Sequence, residues 1–229
     1  MIQIKQTKDN TTPSLVLCVY GTGGIGKSTL AATAPKPIYF DAENGTKAFG
    51  IRGIHIPVIQ VRTWEEIIGA WTSVANNPDY ETIIMDPLGK FMDMLVEYVS
   101  HGGSMSLPKW GEAKTKFRKF INAVKDSGKH IVFVAHDDFN KNDEKLVYFP
   151  KIAVNMSDEL TNLCDIVAYM KVSKGVRDIR VSPSEDYKAK DRYDVFKDGI
   201  VTEHDVTAMI KKIHAAYNAE PFGDKVPTK

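Results

Sequence analysis

Residues 15–34 read LVLCVYGTGGIGKSTLAATA, and these residues indicate the fold class. The apolar run Leu15–Tyr20 has the length of a buried strand, and the glycines after it lead into a short helical segment, Ser28–Ala34, which Pro35 stops. Gly21–Ser28 fits G-x-x-x-x-G-K-[S/T] at every position, between a strand and a helix, which is the context that gives this motif its meaning. The stretch therefore predicts a phosphate-binding loop.

The residue types of this loop suit a nucleoside triphosphate bound with Mg²⁺. Glycines allow backbone N–H groups to turn toward phosphate oxygens, and the helix N-terminus adds its positive end. Lys27 supplies a cation for the outer phosphates, and Ser28 supplies a hydroxyl ligand for Mg²⁺. We therefore predict that ATP and Mg²⁺ bind here. The expected binding set is Gly21, Thr22, Gly23, Gly24, Ile25, Gly26, Lys27, Ser28 and Thr29.

Apolar runs of strand length alternate with segments of helical period along the rest of the chain. The runs are Ile38–Asp41, Ile54–Val61, Thr82–Met85 and Ile131–Ala135, and later candidates are Asp165–Lys171, Ile179–Ser182 and a strand around Tyr187. An amphipathic helix is predicted over Trp64–Ala75. The alternation predicts an α/β fold with three layers, a P-loop NTPase core in which a mostly parallel central sheet is covered by helices, and the later strands as an antiparallel extension.

We expect one domain over residues 1–229, with a core of about 13–200, a covering helix of about 203–218 and a flexible tail at 219–229. The 30 basic and 29 acidic residues exclude a uniformly basic nucleic-acid coat, because any phosphate-binding surface must then come from local clustering. The two cysteines form no disulfide framework, and no apolar run has the length of a membrane span. A cytoplasmic protein without a membrane partner is the expectation.

Three polar residues stand at or just after the carboxyl ends of predicted strands, where ligands of open α/β sheets bind. Asp86 is the expected Mg²⁺ partner opposite Ser28. Pro87 follows it and cannot polarise water, so Glu43, just past the second strand, is the expected base. His136 is the expected sensor of the γ-phosphate, and nucleotide occupancy would then order residues 137–151. The alternatives are a solvated loop glutamate and a surface histidine that caps a strand.

Several motifs in one order resemble the RecA-like core ATPases of phages, which are related to the single-strand annealing recombination proteins. GTGGIGKST is similar to that family's phosphate loop, PIYFDAENGT to the strand that ends in its catalytic glutamate, TIIMD to its magnesium strand and IVFVAHD to its sensor strand. The likeness covers about Leu15 to Phe196. It implies a DNA-stimulated ATPase that acts on single-stranded DNA in phage recombination or annealing.

The resemblance also implies a homo-oligomer with a shared site. DYKAKDR, with Lys188 and Lys190, is similar to paired lysines that reach the nucleotide of the neighbouring subunit, with Arg192 as a third cation. Hydrolysis would then depend on assembly, because the charge that stabilises the transition state arrives across an interface. Two DNA-binding mobile loops of the family correspond to His101–Trp110 and Asp137–Lys151. The amino terminus is too short for the separate oligomerisation domain of the larger recombinases, and no sizeable domain is expected after the core. Strand exchange by a long filament is therefore not expected, and annealing or a mediator role stays open.

Local basic clustering points to the same ligand. Residues 109–129 contain seven basic and two acidic residues after a flexible glycine pair, and Trp110 is placed to stack on a base. The candidate DNA contacts are Lys109, Trp110, Lys114, Lys116, Lys141 and Lys145. The alternative is a solvated helix face with Trp110 as a core anchor. In that alternative, a partner protein would drive the ATPase without DNA, in a helicase, packaging or partition role. A single-strand binding protein or a replication factor is a further expected partner.

A guanine-nucleotide switch protein is a rival interpretation. Asp86–Gly89 fits D-x-x-G and Asn140–Asp143 fits N-K-x-D. In GTPases the guanine-reading motif follows its strand directly, whereas here HDDF lies between Ala135 and Asn140. DAENG also has no place in that scheme, so the ATPase interpretation is preferred.

Overall fold

The computed structural model describes residues 13–142, 145–152, 156–173 and 175–218. Within this part of the chain lie nine strands and seven α-helices. The strands are β1 (Val16–Gly21), β2 (Pro37–Asp41), β3 (Val58–Gln60), β4 (Thr82–Asp86), β5 (His130–Asn142), β6 (Lys145–Pro150), β7 (Ile166–Ser173), β8 (Val176–Arg180) and β9 (Lys190–Asp191). The helices are α1 (Lys27–Ala31), α2 (Lys47–Ile51), α3 (Trp64–Val74), α4 (Leu88–Ser100), α5 (Leu107–Asp126), α6 (Ser157–Leu163) and α7 (Val206–Asn218).

The central sheet has the strand order β3-β2-β4-β5-β1-β7-β8, with β6 paired to β5 and β9 paired to β7. All pairs from β3 to β7 along this path are parallel, whereas β8 and β9 run antiparallel to β7. The phosphate-loop strand β1 and the Asp86 strand β4 are therefore not neighbours, because β5 lies between them. The α/β fold with a mostly parallel central sheet and an antiparallel extension is confirmed.

Both faces of the sheet are buried, which explains why β1 is apolar at successive positions instead of alternating. Val16, Cys18 and Tyr20 belong to the core on one face, which α3, α4 and α5 cover. Leu17 and Val19 belong to the core on the other face, which α1 and α7 cover. The two helical layers and the sheet make the predicted three-layer arrangement.

The predicted strand at 54–61 is shorter in the structure. Only Val58–Gln60 pairs, on the outer side of β2, and Val58 is exposed. A sheet-edge strand loses half of its hydrogen-bonding neighbours, so its length depends on one partner only. The covering helix starts at Val206, later than expected, and the predicted tail at 219–229 lies outside the described residues.

The structure corrects the expectation of two mobile loops in part: residues 101–106 lie outside helices and strands, whereas residues 107–110 and most of the described residues of 137–151 are regular structure. Leu107 begins α5, with Pro108 in its first turn, so Lys109 and Trp110 are helical. The described residues of 137–151 form a hairpin in which β5 continues without a break from His136 and pairs with β6. Phe139 opposite Tyr148 supplies the kind of aromatic cross-strand pair that stabilises such a hairpin.

None of the helices in the described ranges combines the length and the apolar character that crossing a lipid bilayer demands.

Candidate nucleotide site

The loop between β1 and α1 has a backbone that two of its glycines make possible. Gly26 precedes α1 with φ 100°, and a Cβ there would lie 3.2 Å from the guanidinium of Arg177. Gly21 ends β1 with φ 152°, and a Cβ there would lie 2.1 Å from the carbonyl oxygen of Met170. Only glycine fits both the positive φ and the close approach of neighbouring groups. Gly21 and Gly26 are therefore required by the local geometry.

Lys27 lies inside the loop. The side chain is 6% exposed, and Nζ donates hydrogen bonds of 2.8 Å to the carbonyl oxygens of Gly21 and Thr22. Burial lowers the pKa of Lys27, and the negative charges of Asp86 and Asp137 offset part of that effect. The loop thus holds an ammonium group at the position where phosphate oxygens would replace its two carbonyl partners.

The carboxylate of Asp86 is bonded to the first turn of α1. Oγ of Ser28 donates to Oδ2 of Asp86 at 2.5 Å, and the hydroxyl of Tyr39 donates to the same oxygen. Burial raises the pKa of Asp86, while these two hydrogen bonds and the charge of Lys27 act in the opposite direction. A hydroxyl and a carboxylate oxygen side by side are the ligand type that Mg²⁺ prefers, so the residues present fit this ion.

A cavity of about 210 Å³ opens above the loop. Its lining includes four residues of the Gly21–Ser28 loop, residues of two strands, β4 and β5, and residues of the turn after β2 and of α2; the residues are Gly24, Gly26, Lys27, Ser28, Thr29, Gly45, Ala48, Phe49, Arg52, Asp86, Pro87, Val134, Ala135 and His136. A second cavity of about 730 Å³ contains Glu43 in its lining and shares Pro87 and His136 with the first. The two cavities are therefore adjacent.

The strand register explains why these residues meet. Gly21 of β1 is opposite His136 of β5, and Asp41 of β2 is opposite Asp86 of β4. The carboxyl ends of β1, β2 and β4 therefore stand at one edge of the sheet, as predicted. β5 continues past this edge, so His136 lies where the strand leaves the central sheet and not at its end. Lys27, Ser28, Asp86 and His136 share one cavity, whereas the exposed Glu43 lies in the neighbouring one.

Three residues of this region are absent from the set predicted from sequence. Asp41 is 1% exposed and bonds the turn that carries Glu43, and Tyr39 bonds Asp86. Arg52 lines the phosphate cavity and donates to Oγ1 of Thr29 at 3.1 Å. A charged residue at a strand end was a usable signal for Asp41. Nothing in the sequence around Tyr39 indicates its contact with Asp86, and nothing around Arg52 indicates its contact with Thr29.

The cations expected to act in a neighbouring subunit are bonded within their own chain. Nζ of Lys188 lies 2.9 Å from Oδ1 of Asp158, and Nζ of Lys190 donates to the carbonyl oxygens of Thr161 and Asn162 at the end of α6. Arg192 pairs with the buried Asp165 at 2.7 Å. A contact across an interface requires these bonds to break, and the trans-acting role of Lys188 and Lys190 stays a prediction.

Most cations of residues 109–129 also have partners within the chain. Nζ of Lys109 donates to the carbonyl oxygen of Ser100 at 3.1 Å, and Trp110 packs against the core. Five of the seven cations have such partners: Lys109, Lys116 (Glu112), Arg118 (Glu159), Lys125 (Asp165) and Lys129 (carbonyl oxygens of Asn77 and Tyr80). Lys114 is half-buried on α5. The segment is mainly a helix surface that is paired with its own fold.

The second group of DNA candidates lies on the β5–β6 hairpin. Lys141 is exposed, and Lys145 forms an ion pair with Glu185. Phe139 is 53% exposed on the same face of the hairpin as Lys141. Asn140 and Lys141 of the N-K-x-D match are paired strand residues outside the phosphate-cavity lining described above, and Asp143 lies outside the described residues. The GTPase interpretation gains no support from this placement.

Comparison with known proteins gives the family. The SPbeta prophage-derived uncharacterized protein YorG of Bacillus subtilis (strain 168) is 24% identical over 200 residues, which cover 78% of this chain. The matched region spans about 59% of the length of that relative. The family model described as "AAA domain" matches residues 14–193, which include the phosphate loop, Asp86 and His136. The chain therefore belongs to the AAA-domain family.

Proposed function

We propose that this chain is a magnesium-dependent ATP hydrolase. The observation that carries the proposal is the hydrogen bond between the side chains of Ser28 and Asp86. It lies beside the buried Lys27, next to the glycine-rich loop. Backbone N–H groups and Lys27 would bind the phosphates, and Ser28 and Asp86 would hold Mg²⁺. When bound, this ion neutralises charge on the β- and γ-phosphate oxygens. Membership of the AAA-domain family supports the same function.

Glu43 is proposed as the base. Its carboxylate lines the cavity that adjoins the phosphate cavity, so a water molecule there would lie between Glu43 and the γ-phosphate. Glu43 would accept a proton as the water oxygen bonds to the γ-phosphorus and the bond to ADP breaks. His136 lines both cavities and is proposed to sense the γ-phosphate.

The test of this assignment is the Glu43→Gln variant. Because the amide cannot accept the proton, we expect ATP to bind with unchanged affinity while turnover falls by about 100-fold or more. Glu97→Gln, the same change at an exposed position of α4, is the control and is expected to retain full activity. Normal turnover by Glu43→Gln would show that another group is the base.

We further propose that single-stranded DNA stimulates the hydrolase, in phage recombination or strand annealing, with a homo-oligomer as the working form. The name of the prophage-derived relative supports a phage origin. Exposed Phe139 and Lys141 on one face of the β5–β6 hairpin combine a stacking surface with a phosphate-binding cation. This hairpin continues the strand that carries His136, so the proposed DNA surface is directly joined to the proposed sensor.

One observation favours a second candidate, an ATPase that a protein partner drives without DNA. The largest basic segment of the chain, residues 109–129, has five of its seven cations bonded within the fold, as described above. Cations with such partners contribute less to DNA binding than free ones, because their existing bonds must first be given up.

Hydrolysis of ATP and of GTP with and without single-stranded DNA, over a range of protein concentrations, separates these functions. ATP turnover that rises with DNA and with protein concentration supports the first proposal. A double variant, Phe139→Ala with Lys141→Ala, is then expected to lose the stimulation and keep the basal rate, whereas Lys211→Ala on α7 keeps both. Turnover that ignores DNA favours the partner-driven ATPase, and a preference for GTP contradicts both.

A further inference from the structure

The carboxylate of Asp41 is enclosed by hydrogen-bond donors. Oδ1 accepts from the backbone N–H groups of Glu43 at 3.0 Å and Gly45 at 3.2 Å. Oδ2 accepts from N–H and Oγ1 of Thr46 at 3.0 and 2.6 Å and from Nε2 of Gln60 at 3.2 Å. Five bonds thus converge on one buried side chain, and four of them come from the turn that follows β2.

The same turn is held from a second side by Arg62. The guanidinium donates to the carbonyl oxygen of Ala42 at 3.2 Å and to Oδ1 of Asn44 at 3.4 Å. Asn44 has φ 60°, a left-handed conformation that asparagine tolerates better than most residues. Residues 42–46, which we name the Glu43 turn, are therefore fixed by side chains on both of their flanks.

Glu43 has little else to position it. Its side chain is exposed, and among the described residues its carboxylate takes part in none of the hydrogen bonds or ion pairs. The direction in which the side chain of Glu43 points therefore depends on the backbone conformation of the Glu43 turn. Because catalysis by a base requires it to lie within hydrogen-bond reach of the attacking water, the rigidity of this backbone determines the fraction of time the base is in place.

We propose that Asp41 is a positioning residue for hydrolysis, which holds the Glu43 turn in the geometry that keeps the carboxylate of Glu43 at the phosphate cavity. Arg62 assists it from the other flank. The inference rests on the proposed function, in which Glu43 is the base. Asp41 is not itself a base, since it is 1% exposed and both of its oxygens are occupied. Burial alone would raise the pKa of Asp41, but the bonds from Thr46, Glu43 and Gln60 outweigh it and hold the pKa below its usual value.

The first test is the Asp41→Asn variant, which keeps the shape of the side chain and places an amide N–H₂ among donors. We expect kcat to fall by about 10- to 100-fold, with a much smaller change in the affinity for ATP. Asp126→Asn, at an exposed position near the end of α5, is the matched control. Equal losses in kcat and in ATP affinity would show a general collapse of the site and would overturn the proposal.

Two further variants separate positioning from a purely structural role. Combined with Glu43→Gln, Asp41→Asn should cause no additional loss of kcat, because a base that is absent cannot be misplaced. Arg62→Gln changes a partly exposed contact and tests the same turn without altering a buried group, so it keeps the proposal testable if Asp41→Asn does not fold. We expect it to lower kcat by about 3- to 10-fold at unchanged ATP affinity.

The outcomes distinguish failure of the Glu43 base assignment from failure of the positioning role of Asp41. If Glu43→Gln turns ATP over normally, the assignment of the base fails, and the positioning role fails with it. If Glu43→Gln is inactive while folded Asp41→Asn and Arg62→Gln both retain normal kcat, the base assignment stands and the positioning role of Asp41 is wrong. An additive loss in the double variant also contradicts it.

Discussion

The hydroxyl of Tyr39 and the hydroxyl of Ser28 donate hydrogen bonds to the same carboxylate oxygen of Asp86. Tyr39 reaches it from β2, the strand next to β4, and is almost completely buried. One side chain thus orients the residue proposed to hold Mg²⁺ without being a ligand of the ion itself. Partners of this kind, which orient a metal ligand, influence metal affinity strongly.

Tyr39→Phe removes this donor and keeps the ring. We expect the Mg²⁺ concentration that gives half-maximal ATP hydrolysis to rise by about 10-fold, because Asp86 loses one of the two bonds that orient it. The measurement is a Mg²⁺ titration of the hydrolysis rate at saturating ATP. Tyr80→Phe, outside the site, is the control. An unchanged Mg²⁺ dependence in Tyr39→Phe would mean that Ser28 alone orients Asp86.

Lys27→Met removes the ammonium group and keeps an apolar stem in its buried position. We expect loss of ATP binding with the fold retained, since both carbonyl partners of Lys27 belong to its own loop: the carbonyl oxygen of the exposed Thr22 can bind water instead, and only that of the buried Gly21 loses its partner. Equilibrium titration with a fluorescent ATP analogue measures binding, and circular dichroism measures folding. The exposed Lys197 provides the control, as Lys197→Met. Retained tight binding would place the phosphates elsewhere.

Mixing two inactive variants tests whether Lys190 acts in trans. Under the shared-site prediction, Lys190→Ala subunits supply an intact Glu43 and Glu43→Gln subunits supply an intact Lys190, so the mixture should recover part of the hydrolysis rate. Lys190→Ala should also lose stability, because Nζ caps two carbonyl groups at the end of α6. Lower stability together with no recovery on mixing would assign Lys190 to its own α6 only.

His130 predicts how stability depends on pH. The N–H of Leu15 donates to its Nδ1 at 3.0 Å, so this nitrogen carries no proton in the folded state. Burial, with the neighbouring His214, lowers the pKa of His130 to about 4 from an ordinary value of 6.5. Between these values the unfolded chain binds a proton that the folded chain does not. The contribution of neutral His130 to the free energy of unfolding is therefore complete above pH 6.5 and is lost as the pH falls toward 4.

Urea unfolding between pH 7.5 and pH 4.5 measures this effect. We expect His130 to account for a fall of about 3 kcal/mol in the free energy of unfolding across the full window from its unfolded to its folded pKa. His130→Gln, whose side-chain oxygen can accept the bond from Leu15, should flatten the dependence. His55→Gln, at an exposed position, should leave the pH dependence of the free energy of unfolding unchanged. Parallel slopes in all three proteins would contradict the assignment to His130.

The parts of the site that depend on local sequence could be predicted, and those that depend on distant pairing could not. The phosphate loop is contiguous from Gly21 to Ser28, so its motif contains its own context. The rule that parallel strands share one carboxyl edge was enough to bring Asp86 and His136 to the same cavity. The fold class followed from the alternation of apolar runs and helical segments, which is also a local property.

The β5–β6 hairpin was missed because its stabilising pair, Phe139 with Tyr148, is separated by a polar stretch that resembles a loop. The intrachain partners of the cations in residues 109–129 could not be predicted for a similar reason. Arg118 pairs with Glu159 and Lys125 with Asp165, about 40 residues further along the chain, and sequence spacing carries no information on such contacts. Charge counts within a window therefore overestimate how many cations remain free.

The unbroken course of β5 has a mechanical consequence. His136 stands near the middle of a single strand, with the sheet interior on one side and six hairpin residues on the other. At about 3.3 Å per residue these six residues make a lever arm of about 20 Å. Rotating the strand by about 10° at His136 would move the far end of the hairpin by about 3.5 Å, while the buried part of β5 stays in register. A small rotation at His136 would thus be amplified at the far end of the hairpin by geometry alone.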